Sequence, residues 1–192
     1  MPLSSPAARK ELHTRVVTCK GYLREDDLWD IEGNMVDTKP YRFENQDRGG
    51  YIEAEEPLHG MWVRLTIDDQ MKIHAAEAAI DYSPYSNCPS ITPDYGKLVG
   101  LNIGLGWNKA VRTLLRGTAG CTHLTELLGP MATTAFQTLY SGRDQGKTPE
   151  VEKPLTYEPK ERPALLNTCH TFGVSSPVVK RDFPEFYEES SE

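Results

Sequence analysis

Thiols and an imidazole stand close to the expected edges of secondary structure in two stretches of this chain, Asn87-Cys88-Pro89 and Gly120-Cys121-Thr122-His123-Leu124. Cys121 and His123 fall where a helix is expected to begin. There the unpaired backbone N–H groups and the helix dipole favour negative charge. A thiol in that position ionises more readily than a free cysteine, and a neighbouring imidazole assists it. The plainer reading is a cysteine packed under the turn and a histidine near the cap. As a zinc set, Cys88, Cys121 and His123 with Cys169 or His170 supply suitable atoms, but the spacing matches no compact ligand pattern and Cys-x-His is a tight pair.

A second constellation lies earlier. Asp30 and Glu32 are two apart on an expected strand, so both carboxylates leave one face, and Arg24 and Arg64 reach that face from neighbouring strands. On an open surface these groups form cross-strand ion pairs of little consequence. Lining a cavity, they have a different chemistry: repulsion and burial raise a carboxylate pKa into the range of general acid–base work, and an arginine holds a phenolate or alkoxide. His74 shares the side of Arg64, where a structural hydrogen-bonding role is its ordinary use. Tyr82 and Tyr85, around Ser83-Pro84, either donate phenolic hydrogens and stack on an aromatic ligand or anchor a loop. Trp62, with Trp29 and Trp107, either walls a pocket or packs the core. Gly104-x-Gly106 lacks the preceding strand and third glycine of a dinucleotide loop.

The elements that must position these groups are legible from periodicity. Thr14–Arg24 is rich in β-branched residues and reads as a strand, and Glu25-Asp26-Asp27 as its turn. In the returning segment from Leu28 to Asp37, Trp29, Ile31 and Met35 point one way, Leu28, Asp30 and Glu32 the other. A loop is expected from about Pro40 to His59. Met61, Val63, Leu65 and Ile67 then alternate with Trp62, Arg64, Thr66 and Asp68. The run from Met71 to Asp81 reads as a fourth strand, despite its alanines, because it follows a strand and a tight turn. Helices are expected from the Thr92-Pro93 start through Leu101, from Trp107 to Arg116 with a stop at Gly117, and from a Thr122 cap to about Tyr140, with Pro130 as a kink.

The fold class expected is α+β: an antiparallel sheet of about four to five strands covered on one face by two to three helices. Residues 1–11 form a loose start, 12–141 a single domain, and 142–192 a Pro-rich extended arm that docks on the domain or on a partner subunit, with a homodimer as the expected assembly.

Composition bounds the function. The chain has 192 residues, a net charge of −7 and scattered basic residues. Its pI is near 5.3. This argues against a nucleic-acid surface, which needs clustered Lys and Arg. No apolar run is long enough to cross a bilayer, and the N-terminus lacks the order of a secretory signal, so a cytoplasmic protein without membrane contact is expected. The four cysteines form no Cys-x-x-Cys pair and read as free thiols.

The segments Gly21–Gly33, Asp81–Cys88, Gly120–Leu124 and Asn167–His170 together resemble a bacterial family catalogued as domain of unknown function 2889, over most of the chain from about Leu12 to Tyr187. That family carries no established catalytic residues to transfer. The resemblance implies a place in bacterial breakdown of aromatic compounds, where lyases release formaldehyde from lignin-derived dimers. The expected function is therefore a cofactor-free lyase acting on a small phenolic substrate by acid–base elimination. His123 or His74 is the base, Asp30 or Glu32 orients it, and Arg24, Arg64 or a tyrosine stands at the phenolic oxygen. The alternatives are a non-enzymatic metal- or ligand-binding module built on Cys88, Cys121, His123 and Cys169 or His170, and an isomerase or hydratase using the same acid–base face.

Overall fold

In a computed structural model, residues 3–146, 162–163 and 165–189 are described. Six strands and three α-helices follow in order: β1 (Thr14–Leu23), β2 (Trp29–Thr38), β3 (Phe43–Asn45), β4 (Gly50–Ile52), β5 (His59–Ile67), β6 (Ile73–Tyr82), α1 (Trp107–Leu114), α2 (Thr122–Gly146) and α3 (Pro177–Asp182). The α+β expectation holds. One four-stranded antiparallel sheet runs β1-β2-β5-β6, and β3 and β4 form a separate small hairpin. That hairpin occupies the segment expected to be loop. Gly49 and Gly50 close it with φ of +79° and +107°, values that glycine adopts without strain.

Strand alternation sets the two faces of the large sheet. Along β2 the odd-numbered residues are buried and the even-numbered ones half-exposed. Trp29, Ile31 and Met35 join Met61, Val63, Leu65, Ile67 and Ile73 on the inner face. Onto it α2 lays Leu124, Leu127, Leu128, Met131, Ala135 and Leu139, and α1 adds Trp107 and Val111. The helix approaches the sheet closely at two glycines. A Cβ on Gly21 would lie 1.9 Å from Thr138 Oγ1, and one on Gly33 would lie 2.6 Å from Met131 Sδ. Fully burying each of these large apolar side chains is worth about 1.5–3 kcal/mol, so the inner face is where the fold is decided.

The segment before α1 departs from expectation. Residues Cys88–Leu98 form a long 3-10 run that begins four residues before Thr92, with Pro93 inside it. Proline has no N–H for an i to i−4 bond, which favours the tighter helix here. The first turn of α2 begins one residue earlier than expected in capping terms, because the Cys121 carbonyl accepts the first intrahelical bond from Thr125 N–H at 2.9 Å. Pro130 lies inside the helix without ending it.

The chain divides into two compact units, Met1–Lys147 and Thr148–Glu192. Within the second, Ser176 caps α3 by accepting from Val179 N–H at 3.1 Å, with Pro177 at the first helical position. A helix was not expected in this arm. The prolines at 149, 154 and 159, on which its extended character rests, lie outside the described residues.

Candidate functional site

Alternation places an unexpected carboxylate on the apolar face. Asp37 continues the odd-numbered row of β2 and is fully buried. His59, the first residue of β5, is its cross-strand partner, and Arg15 of β1 is its partner on the other side. One row across three strands thus holds a cation, a carboxylate and an imidazole. The β3–β4 excursion returns in register because Leu58 N–H donates to the Asp37 carbonyl at 2.8 Å.

The side chains of the row are joined. Arg15 grips Asp37 with both edges of its fork, Nε to Oδ1 at 2.7 Å and Nη2 to Oδ2 at 2.8 Å. His59 Nδ1 lies 2.8 Å from Asp37 Oδ2, and His13 Nε2 lies 3.3 Å from Oδ1. From the helix side, His123 in the first turn of α2 sets its ring against that of His59, centroids 3.9 Å apart and planes tilted by 34°. Arg15 Nη1 also holds Glu126 Oε2 at 2.5 Å, which ties α2 to β1. Buried Tyr95 steadies the same turn: its phenolic oxygen accepts from Cys121 N–H at 3.2 Å and lies 2.8 Å from Thr125 Oγ1.

The electrostatics of the cluster have definite signs. Burial pushes the Asp37 carboxyl up, but the hydrogen bonds and charges of Arg15 and His59 outweigh it and hold the group at about 2. Asp37 is therefore ionised and accepts only, so His59 Nδ1 carries the proton and donates. Burial, only partly offset by Asp37, lowers the pKa of His59 below the ordinary histidine value. His123 is lowered by burial and then by the nearby Arg15 charge. Both imidazoles are neutral at pH 7, and His59 Nε2 is a lone-pair base.

Asp37, His59 and His123 offer ligand atoms within 4.8 Å of one another, the one such group of three among the described residues. A metal ion there would share Asp37 with the Arg15 guanidinium, whose charge repels a second cation. The arrangement as built joins an ionised carboxylate to an imidazole whose Nε2 can accept a proton. Cys88 and Cys121 are not in it, and Cys169 and His170 belong to the C-terminal unit.

The other expected site residues lie elsewhere. Asp30, Glu32 and Arg64 project from the outer face of the sheet, opposite α2. Arg64 bonds Glu32 at 2.8 Å and reaches Glu77 at 3.4 Å, while Asp30 accepts from Thr66 at 2.6 Å and meets Arg24 at 3.4 Å. These are polar contacts on the sheet surface, and Glu32, Arg64 and Glu77 border, with Trp62, an open depression of about 200 Å³. The expectation that they share one hollow with His123 is therefore corrected: a strand's side chains alternate, and theirs fall on the solvent side. His74 pairs with Asp68 at 2.7 Å near the far end of β5 from His59. Cys121 is half-buried and packs against the core cluster. Trp62 is tied to Asp81 at 2.8 Å. Tyr82 sits opposite Gly60, beside His59 in sequence, with Arg48 5.5 Å from its ring, and Tyr85 is exposed.

Residues 13–137 match the family model described as Protein of unknown function (DUF2889). The chain belongs to this family. The DUF2889 segment opens on His13 and encloses Arg15, Asp37, His59, His123 and Glu126, so every member of the cluster lies inside it, whereas the C-terminal unit lies outside. No curated protein matches the chain, and no solved structure does. Among the described residues no helix is long and apolar enough to cross a membrane.

Proposed function

We propose that this DUF2889 protein is a cofactor-free lyase whose acid–base centre is Asp37–His59–His123. The observation that carries the reading is a buried, ionised Asp37 holding His59 in the tautomer that leaves Nε2 as a base. The substrate class is the one that the family resemblance implies, a small phenolic aromatic ether bearing a primary alcohol.

In the reaction, His59 Nε2 takes the proton of the alcohol. The O–H electron pair becomes the second bond of formaldehyde as the carbon–carbon bond breaks. Its electrons form a new carbon–carbon double bond and expel the aryl oxygen, which leaves with the C–O pair. The proton passes from His59 to that phenolate, so charge and atoms balance without an oxidant. Arg15 keeps N–H groups beyond those used on Asp37 and Glu126 to stabilise developing negative charge. His123, neutral and stacked on His59, is the second proton carrier. Compared with the sequence expectation, Asp37 takes the orienting role assigned to Asp30 or Glu32, and Arg15 that of Arg24 or Arg64.

The test is a panel of phenolic dimers incubated with wild-type and His59→Gln protein, reading formaldehyde and the released phenol. Equimolar products from wild type alone, unchanged by a chelator, support the lyase. Products of unaltered mass point to an isomerase and gain of water to a hydratase. Turnover that requires added zinc places a metal on these residues instead.

A further inference from the structure

A groove that borders the Asp37–His59 cluster at Glu126 lies between α1 and the first turns of α2. Its volume is about 470 Å³, within the roughly 300–1,000 Å³ of small-molecule sites. The side chains of Trp107, Val111, Leu115 and Leu128 give it an apolar wall, and Arg112 and Arg116 stand at its edge.

Those two arginines differ from the six of the chain that are paired. Arg15, Arg24, Arg42, Arg48, Arg64 and Arg181 each face a carboxylate. Neither Arg112 nor Arg116 forms an ion pair among the described residues, and the bond Arg112 does make is to the Asn108 carbonyl of its own helix at 3.2 Å. In a chain of net charge −7, two guanidinium groups without an ion pair among the described residues stand together beside an apolar groove. Glu126 also lines the groove, but its carboxylate is turned to Arg15.

The groove is kept open by missing side chains. Gly117 is needed for its φ of +58°, and a Cβ on Gly120 would meet the Leu115 carbonyl oxygen at 2.4 Å. Gly129 precedes Pro130 within α2, where the proline ring disfavours the helical conformation for any residue bearing a Cβ; apart from that neighbour, a Cβ there meets nothing within 4 Å. At this position glycine leaves the wall of the groove bare.

We propose that the groove binds a small apolar carboxylate, its body against Trp107, Val111, Leu115 and Leu128 and its carboxylate in the fork of Arg112 and Arg116. The planar guanidinium matches a carboxylate in a bidentate way that a point charge does not. This site is independent of the reading of Asp37 and His59.

The probes are benzoate, its neutral isostere benzamide, and inorganic phosphate, titrated into the full chain by calorimetry. Saturable benzoate binding at least tenfold tighter than benzamide, without saturation by phosphate, is expected. Arg112→Met with Arg116→Met should weaken benzoate at least tenfold. Asn108→Trp, which places a large ring at an exposed position of the groove lining, should abolish binding with the melting temperature preserved, and His59→Gln should leave it intact. Equal binding of benzoate and benzamide, saturation by phosphate in place of benzoate, or undiminished binding by folded Asn108→Trp protein overturns the assignment.

Discussion

Asp37 and His59 face each other across β2 and β5 on the covered side of the sheet, with His59 Nδ1 2.8 Å from Asp37 Oδ2. A carboxylate and an imidazole joined in this way are out of place in a hydrophobic layer unless each satisfies the other, and Arg15 completes the set. The geometry sets the tautomer of the imidazole and leaves one ring nitrogen for chemistry.

Removing that nitrogen tests its role. His59→Gln is expected to lower turnover of the phenolic substrate by about 10²–10⁴-fold, the usual contribution of a positioned proton carrier. The amide keeps a donor for Asp37, so circular dichroism should be unchanged. Turnover at the wild-type rate would remove His59 from the mechanism.

Asp37→Asn has both a kinetic and a stability consequence. The amide loses the charge that Arg15 grips and sets its NH2 group against a cation. The carboxyl, held at about 2 from an ordinary 3.8, contributes about 2 kcal/mol at neutral pH. This contribution is complete above the unfolded pKa and is lost as pH falls from about 4 to 2. Urea denaturation should show wild type and Asp37→Asn separated by that amount at pH 7 and converging at pH 2.

The histidines set a second window. His59 and His123 both have folded pKa values below 6.5, so the unfolded chain takes up their protons first. Stability contributed by keeping them neutral is present above pH 6.5 and is lost as pH falls through the histidine range. The acid limb of the rate profile should lie below 6.5, and pH–rate measurements on wild type and His123→Gln would locate it.

Much of this architecture is legible in the chain. The β1–β2 hairpin, the alternation of β5 and the choice of strand for Met71–Asp81 follow from period two and turn chemistry. The β3–β4 hairpin does not, because its three-residue strands are too short to alternate visibly. Asp37 and His59 were within reach: the same odd-numbered row that places Trp29, Ile31 and Met35 inside arrives at Asp37 two residues later, and the row of Met61 and Val63 begins at His59. Polarity taken as exposure hid them, since a carboxylate on an apolar face is ordinary only when a partner is buried with it. His123 was legible at the start of α2, but its stacking on His59 is a tertiary contact that spacing does not show.

The outer-face charges provide a contrast. Arg64→Ala removes ion pairs to Glu32 and Glu77 on a half-exposed surface, where each pair is worth about 0–1 kcal/mol. Activity should stay within about twofold of wild type and stability within about 1 kcal/mol. A large loss of turnover would return the chemistry to that face.

Helix placement can be tested at Gly21. A Cβ there also comes 2.7 Å from Thr138 Cβ, which side-chain rotation cannot relieve, so α2 must lift from β1. Gly21→Ala should cost about 1–3 kcal/mol and reduce turnover by displacing His123. Adding Thr138→Ala should restore part of both.

The protonation state of His59 bears most directly on the centre, because it needs no substrate. Long-range 1H–15N spectra of the wild-type protein, titrated from pH 8 to pH 4 and assigned with His59→Gln, report its tautomer and its pKa. A proton on Nδ1, an unprotonated Nε2 at pH 7 and a pKa below 6.5 are the predicted results. A doubly protonated ring at pH 7, or a proton on Nε2 with Nδ1 bare, would contradict the assignment of His59 as the base.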